Sequence, residues 1–133
     1  MNDKTVLIVE DDEVIRDVLQ QLLQYQGYKT VTANHGKDAL EKLDELECPA
    51  LLLMDLMMPV MDGWELLANL RSNERFRRLP VIVLSAGAEG HELRDDPYAR
   101  FLKKPLRMHS LLEMVQKLCQ LPDADDSENG KTS

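Results

Sequence analysis

Three wholly apolar runs constrain this chain more than any other feature. Residues 6–9 (VLIV), 50–54 (ALLLM) and 80–84 (PVIVL) show no polar alternation, so each predicts a strand covered on both faces. Strands of this kind need helices above and below a sheet, joined by long crossovers. The sequence between them supplies those helices. Val14, Ile15, Val18, Leu19, Leu22 and Leu23 recur at helical spacing and stop at Gly27, a residue suited to follow a helix C-terminus. Ala39, Leu40, Leu43 and Leu46 mark a second helix that ends before Cys48-Pro49. Trp64, Leu66, Leu67 and Leu70 mark a third, and Leu111, Leu112, Val115, Leu118 and Cys119 the last. Two further short strands are predicted over residues 28–33 and 99–102, whereas residues 88–96 are polar and only weakly helical.

Strand and helix thus alternate five times. The expected fold is α/β: a doubly wound, five-stranded parallel sheet in the flavodoxin-like order 2-1-3-4-5, with helices on both faces. A chain of 133 residues suits one domain, expected over residues 1–121. Residues 122–133 (PDADDSENGKTS) read as an acidic, disordered tail. The net charge is −8, of which the tail supplies −3. That sign argues against direct nucleic-acid binding and against an anionic membrane surface. No apolar run approaches the ~20 residues of a membrane helix, and the first residues, MNDKTVLIVEDDE, do not resemble a signal peptide. Cys48 and Cys119 form no CxxC pair and no zinc-spaced cluster. The expectation is a soluble cytoplasmic protein with reduced thiols.

In open parallel sheets the functional site lies beyond the carboxyl ends of the strands. After the first strand come Glu10 and Asp11, after the third Asp55, after the fourth Ser85, after the fifth Lys104. Three carboxylates facing one ammonium are unfavourable without a cation. An oxygen-only donor set suits Mg2+. Asp11 would hold it directly, Glu10 in support, with the backbone carbonyl of Met57 as a further ligand. Asp55, beside a metal and a lysine, can act as a nucleophile on phosphorus and form an aspartyl phosphate. Lys104 would neutralise developing phosphoryl charge, and the Ser85 hydroxyl would donate to a phosphoryl oxygen. Each feature alone has a plainer explanation: acids at a helix N-terminus, a turn aspartate, a small-residue turn, a solvated lysine pair. Their coincidence on successive strand ends favours the chemical one.

The segments VLIVEDDEVIR, LLLMDLMMPVMDGWE, VIVLSA and FLKKP together resemble the receiver domain of bacterial two-component response regulators, over about residues 4–120. The resemblance implies that Asp55 is the phosphoacceptor and that Glu10, Asp11 and the Met57 carbonyl serve the metal. It implies that Lys104, which directly precedes Pro105, is the functional lysine in preference to Lys103. Ser85 and Phe101 correspond to the switch pair, the aromatic turning inward as the hydroxyl moves to the phosphoryl group. The implied partners are a sensor histidine kinase or histidine phosphotransfer protein upstream and an unidentified protein downstream. On this basis the chain is expected to be a phosphorylation-dependent interaction switch, not an enzyme acting on other substrates. The alternatives are a receiver fragment of a larger regulator or hybrid kinase, or a non-phosphorylated scaffold.

The chain also departs from that family. Ser85 and Lys104 are unusually close in sequence, HELRDDPYAR replaces the customary approach to the fifth strand, and Arg107 stands where a Ser or Asp cap is expected. A flavin carrier would need a phosphate loop where Glu10-Asp11-Asp12-Glu13 stands. An aspartate-nucleophile phosphatase would need an acid at Met57. Met57, Met58 and Met61 are expected to pack within the loop, and Trp64 near it. His35, His91 and His109 are expected at the surface, with both cysteines as small apolar fillers.

Overall fold

A computed structural model of the chain describes residues 5–46, 49–58, 60–85, 96–105 and 107–119. Five strands, β1 (Thr5–Val9), β2 (Lys29–Ala33), β3 (Pro49–Asp55), β4 (Val81–Ser85) and β5 (Ala99–Lys103), form one sheet. Four helices accompany them among the described residues: α1 (Glu13–Tyr25), α2 (Gly36–Glu45), α3 (Gly63–Arg71) and α4 (Met108–Cys119). The strand order is β2-β1-β3-β4-β5 and every pairing is parallel, the flavodoxin-like arrangement expected of the alternating strands and helices.

Side chains of a strand alternate between faces, so a strand with no polar residue must bury both. Val6, Ile8, Leu51, Leu53, Ile82 and Leu84 pack with Leu19 and Leu23 of α1 and Leu111, Val115 and Leu118 of α4. Leu7, Val9, Leu52, Met54, Val81 and Val83 pack on the other face with Ala39 and Leu43 of α2 and Leu66, Leu67 and Leu70 of α3. The edge strands β2 and β5 are less deeply covered, which is why their sequences lack an unbroken apolar run.

The boundaries follow local chemistry. Asp12 caps α1 by accepting from the N–H groups of Val14 and Ile15, and Gly27 follows its end with φ +97°. Asp62 and Glu65 form a capping box at the start of α3. The expected second strand begins one residue later, at Lys29, and the third includes Pro49 at its first position, where a missing N–H is tolerated. Arg107 serves α4 through its backbone carbonyl, which accepts from Leu111.

His35 departs from the surface expectation. It is half-buried and caps α2, its Nδ1 accepting from the N–H of Asp38 at 3.2 Å. His109 is exposed and pairs with Glu113. Cys119 is buried in the core as expected. Cys48, His91, the expected acidic tail at 122–133 and most of the polar segment before β5 lie outside the described residues. Among the described residues, no helix is long and apolar enough to cross a membrane.

Candidate functional site

The carboxyl ends of β1, β3 and β4 carry the buried polar residues. Among the described residues these are Glu10 at 2% exposure, Asp55 at 6% and Ser85 at 2%. The acidic run after β1 divides its labour residue by residue. Glu10 turns in beneath the sheet end, Asp11 stays exposed, Asp12 caps α1 and Glu13 occupies its first turn. The Glu10 backbone is tied down on both sides. Its N–H donates to the Ala33 carbonyl at 3.1 Å, and its carbonyl accepts from Arg16 Nη1 at 2.9 Å.

Asp55 closes β3. Its Oδ1 accepts from the Met57 N–H at 3.2 Å and its Oδ2 pairs with Lys104 Nζ at 3.0 Å. Lys103 ends β5 with an exposed side chain, while the next residue, Lys104, donates its N–H to the Ser85 carbonyl at 2.8 Å. That bond carries the Lys104 side chain back over the sheet end. The Lys104–Pro105 peptide is cis. Ser85 stands beside Lys103 in the parallel register. Phe101, one turn of the pleat earlier, is half-buried against the cluster that includes Leu56 and Met58.

Carboxylate oxygens of Glu10, Asp11 and Asp55 all lie within 4.8 Å of one another. The charge crowding is visible on Glu10. Its carboxyl is pushed up to about 7, first by burial, then by the charge of Asp55 and a hydrogen bond with Asp11. The Asp12 N–H, donating to Oε2 at 3.1 Å, and Lys104 work in the opposite direction. Glu10 Oε1 is buried without a hydrogen-bond partner. An oxygen-only donor set with an unsatisfied buried oxygen fits a small hard divalent cation.

Six of the seven residues singled out in sequence converge here: Glu10, Asp11, Asp55, Ser85, Lys104 and Met57. Phe101 lies behind them in the β5 wall. The methionines divide. Met58 is buried and Met61 packs against the core, but Met57 is 73% exposed, so the expectation of loop packing fails for its side chain. Trp64 packs against the same cluster as the loop. Sequence reading missed Arg16, whose role is a side-chain-to-carbonyl bond with no periodic signature. It also missed two glycines. A Cβ on Gly63 would lie 2.9 Å from Leu56 Cα, and one on Gly36 2.8 Å from the Met61 carbonyl oxygen.

Comparison with known proteins bears on the whole arrangement. A family model described as the response regulator receiver domain matches residues 6–116. An uncharacterized 14.6 kDa protein from the sodA1 3′ region of Leptolyngbya boryana is 37% identical, covering 90% of this chain and 94% of that protein. The polar-differentiation response regulator DivK of Brucella ovis is 32% identical, covering 85% and 94%. Other curated relatives are longer, and the chain spans 49% of one and 6% of another. Among solved structures, chemotaxis protein CheY4 of Vibrio cholerae superposes with a TM-score of 0.79 at 28% identity, covering 87% of this chain and 98% of that one.

Proposed function

The chain belongs to the response regulator receiver domain family, and on that premise we propose that it is a phosphorylation-dependent signalling switch with Asp55 as phosphoacceptor. The observation that carries this reading is the buried Asp55 carboxylate, paired with Lys104 at 3.0 Å and within 4.8 Å of two further carboxylates. A structural ion pair needs neither of those acids.

In this reading an Asp55 oxygen attacks the phosphorus of a phosphohistidine. The phosphorus–nitrogen bond breaks, its electron pair returns to the imidazole, and an acyl phosphate remains on Asp55. Lys104 Nζ leaves the carboxylate to hold a phosphoryl oxygen. The Met57 N–H keeps the carboxylate oriented. The carboxylates of Glu10, Asp11 and Asp55 and the Met57 carbonyl would hold Mg2+, which when bound supplies charge neutralisation at the phosphoryl oxygens. Ser85, buried at the adjacent strand end, would turn its hydroxyl to the new phosphoryl group, and Phe101 would follow into the space beside it. The exposed Val14, Met57, Val60 and Met108 offer apolar surface to a protein phosphodonor, a histidine kinase or histidine phosphotransfer protein. The altered β4–β5 side would then engage a downstream protein. Residues 1–121 are taken as the receiver, with its place of action in the cytoplasm.

The test is intact mass after incubation with acetyl phosphate, with and without Mg2+. One added phosphoryl group that requires both Mg2+ and Asp55 is expected. An adduct that persists in Asp55→Asn would reject the assignment. An absent adduct together with no Trp64 response to beryllofluoride would reject the switch.

A further inference from the structure

The loop after Asp55 contains a conformational cost. Val60 has φ +69°, a left-handed conformation that costs a β-branched residue about 1–2 kcal/mol. Such a state persists where surrounding structure over-determines it, so something must hold this loop. One contact comes from its own far end. Gly63 opens α3, and its N–H donates to the Leu56 carbonyl at 2.9 Å. The second comes from a different element. Gly36 opens α2, and its N–H donates to the Met61 carbonyl at 3.2 Å. A Cβ on Gly36 would stand 2.7 Å from Met61 Cγ, 2.8 Å from its carbonyl oxygen and 2.9 Å from its Cβ. The backbone oxygen cannot yield without moving the loop.

Helix α2 has no other need of a glycine there. Gly36 lacks the positive φ that Gly27 adopts, and alanine is the better helix former. The close approach to Met61 is therefore what the missing side chain serves. We propose that Gly36 is a positioning residue for the Asp55 site. By holding Met61 it fixes the strained loop, and the loop presents the Met57 N–H to Asp55 Oδ1 at 3.2 Å. This rests on the reading of Asp55 as phosphoacceptor only for its effect on labelling, not for its effect on the loop. The first turn of α2, with its His35 cap and the Asn34 N–H bonded to Asp38, is thereby coupled mechanically to the site.

The variants are Gly36→Ala, Val60→Gly and the double variant, compared with wild type in the whole chain. Three quantities are read: the Met57 amide resonance, the melting temperature and the rate of labelling by acetyl phosphate. Gly36→Ala is expected to shift the Met57 resonance, slow labelling at least fivefold and lower the melting temperature, because the added methyl displaces the Met61 carbonyl. Val60→Gly in that background is expected to restore the rate to within twofold, because a relaxed loop can give way around the added methyl. A helix-only role for Gly36 predicts the reverse: a raised melting temperature, an unmoved Met57 resonance and wild-type labelling. That result overturns the proposal. If wild type takes no phosphoryl group, the Asp55 reading fails, and the Met57 resonance alone still decides the role of Gly36. Should Gly36→Ala not fold, Val60→Gly is compared with the double variant. A Met57 resonance that differs between them supports the proposal, and identical resonances overturn it.

Discussion

Charge gathers at both ends of the sheet, and it is handled in opposite ways. At the amino ends of β4 and β5, Arg71 Nε meets Asp96 Oδ2 at 2.7 Å while Nη1 donates to the Phe76 carbonyl at 3.0 Å. Asp96 in turn accepts from the Tyr98 N–H at 3.0 Å. One cation faces one anion, and both are fixed to backbone. At the carboxyl ends, Glu10, Asp11 and Asp55 face Lys104. Among the described residues, each end leaves one buried polar atom unpartnered, Arg71 Nη2 and Glu10 Oε1. At the amino end that atom belongs to a guanidinium already matched in charge. At the carboxyl end it belongs to a surplus of negative charge. A matched pair completes a structure, whereas a mismatched cluster is poised to take a ligand. The same fold therefore contains a half-buried clamp and a candidate site, distinguished by charge balance.

The comparison breaks most readily at Asp55. Asp55→Asn should reduce acetyl phosphate labelling by at least about 100-fold, since an amide cannot form the acyl phosphate. Arg71→Ala should label at nearly the wild-type rate. Equal losses in both would erase the distinction between clamp and site.

Next in size is the clamp itself. Arg71→Ala leaves Asp96 without its cation and the Phe76 carbonyl with only the Leu79 N–H as donor, and should lower unfolding free energy by about 2–3 kcal/mol in urea titration. A change below about 0.5 kcal/mol would place the pair among solvent-screened surface contacts.

The site end should respond to pH where the clamp does not. The Glu10 carboxyl titrates near 7 when folded and near 4.5 otherwise. Between those values the unfolded chain has lost a proton that the folded chain keeps. In metal-free buffer stability should therefore fall as pH rises from about 4.5 to about 7, by about 3 kcal/mol, and then level off. Glu10→Gln should flatten that slope. A slope that survives the substitution would assign it to other groups.

The smallest effect sharpens the same contrast. Mg2+ at ten times its dissociation constant should add about 1.4 kcal/mol, raising the melting temperature by about 3–5 °C. The increment should vanish in Asp11→Asn and persist in Arg71→Ala.

Much of this was legible in the chain. The three apolar runs predict the sheet because a strand buried on both faces must be apolar throughout, and that rule is local. The strand ends then place Glu10, Asp11, Asp55 and Ser85 without further information. The lysine was harder. Lys103 and Lys104 are adjacent and chemically alike, and the resemblance to receivers favoured the one before Pro105. The structure brings Lys104, not Lys103, onto Asp55 because its N–H bonds the Ser85 carbonyl past the end of β5. His35 looked like a surface residue because nothing in its neighbours announces a helix cap made by an imidazole.

By itself the sequence determined the alternation of strands and helices, the two packed faces and the end of the sheet where the polar residues gather. These depend on hydrophobic periodicity, which is written in neighbouring residues. Tertiary structure alone decided that Arg71 meets Asp96 across 25 positions and set the 3.0 Å contact of Lys104 with Asp55. It also decided that Gly36 must leave room for Met61. Pairing and close approach depend on distances in space, which no local pattern encodes.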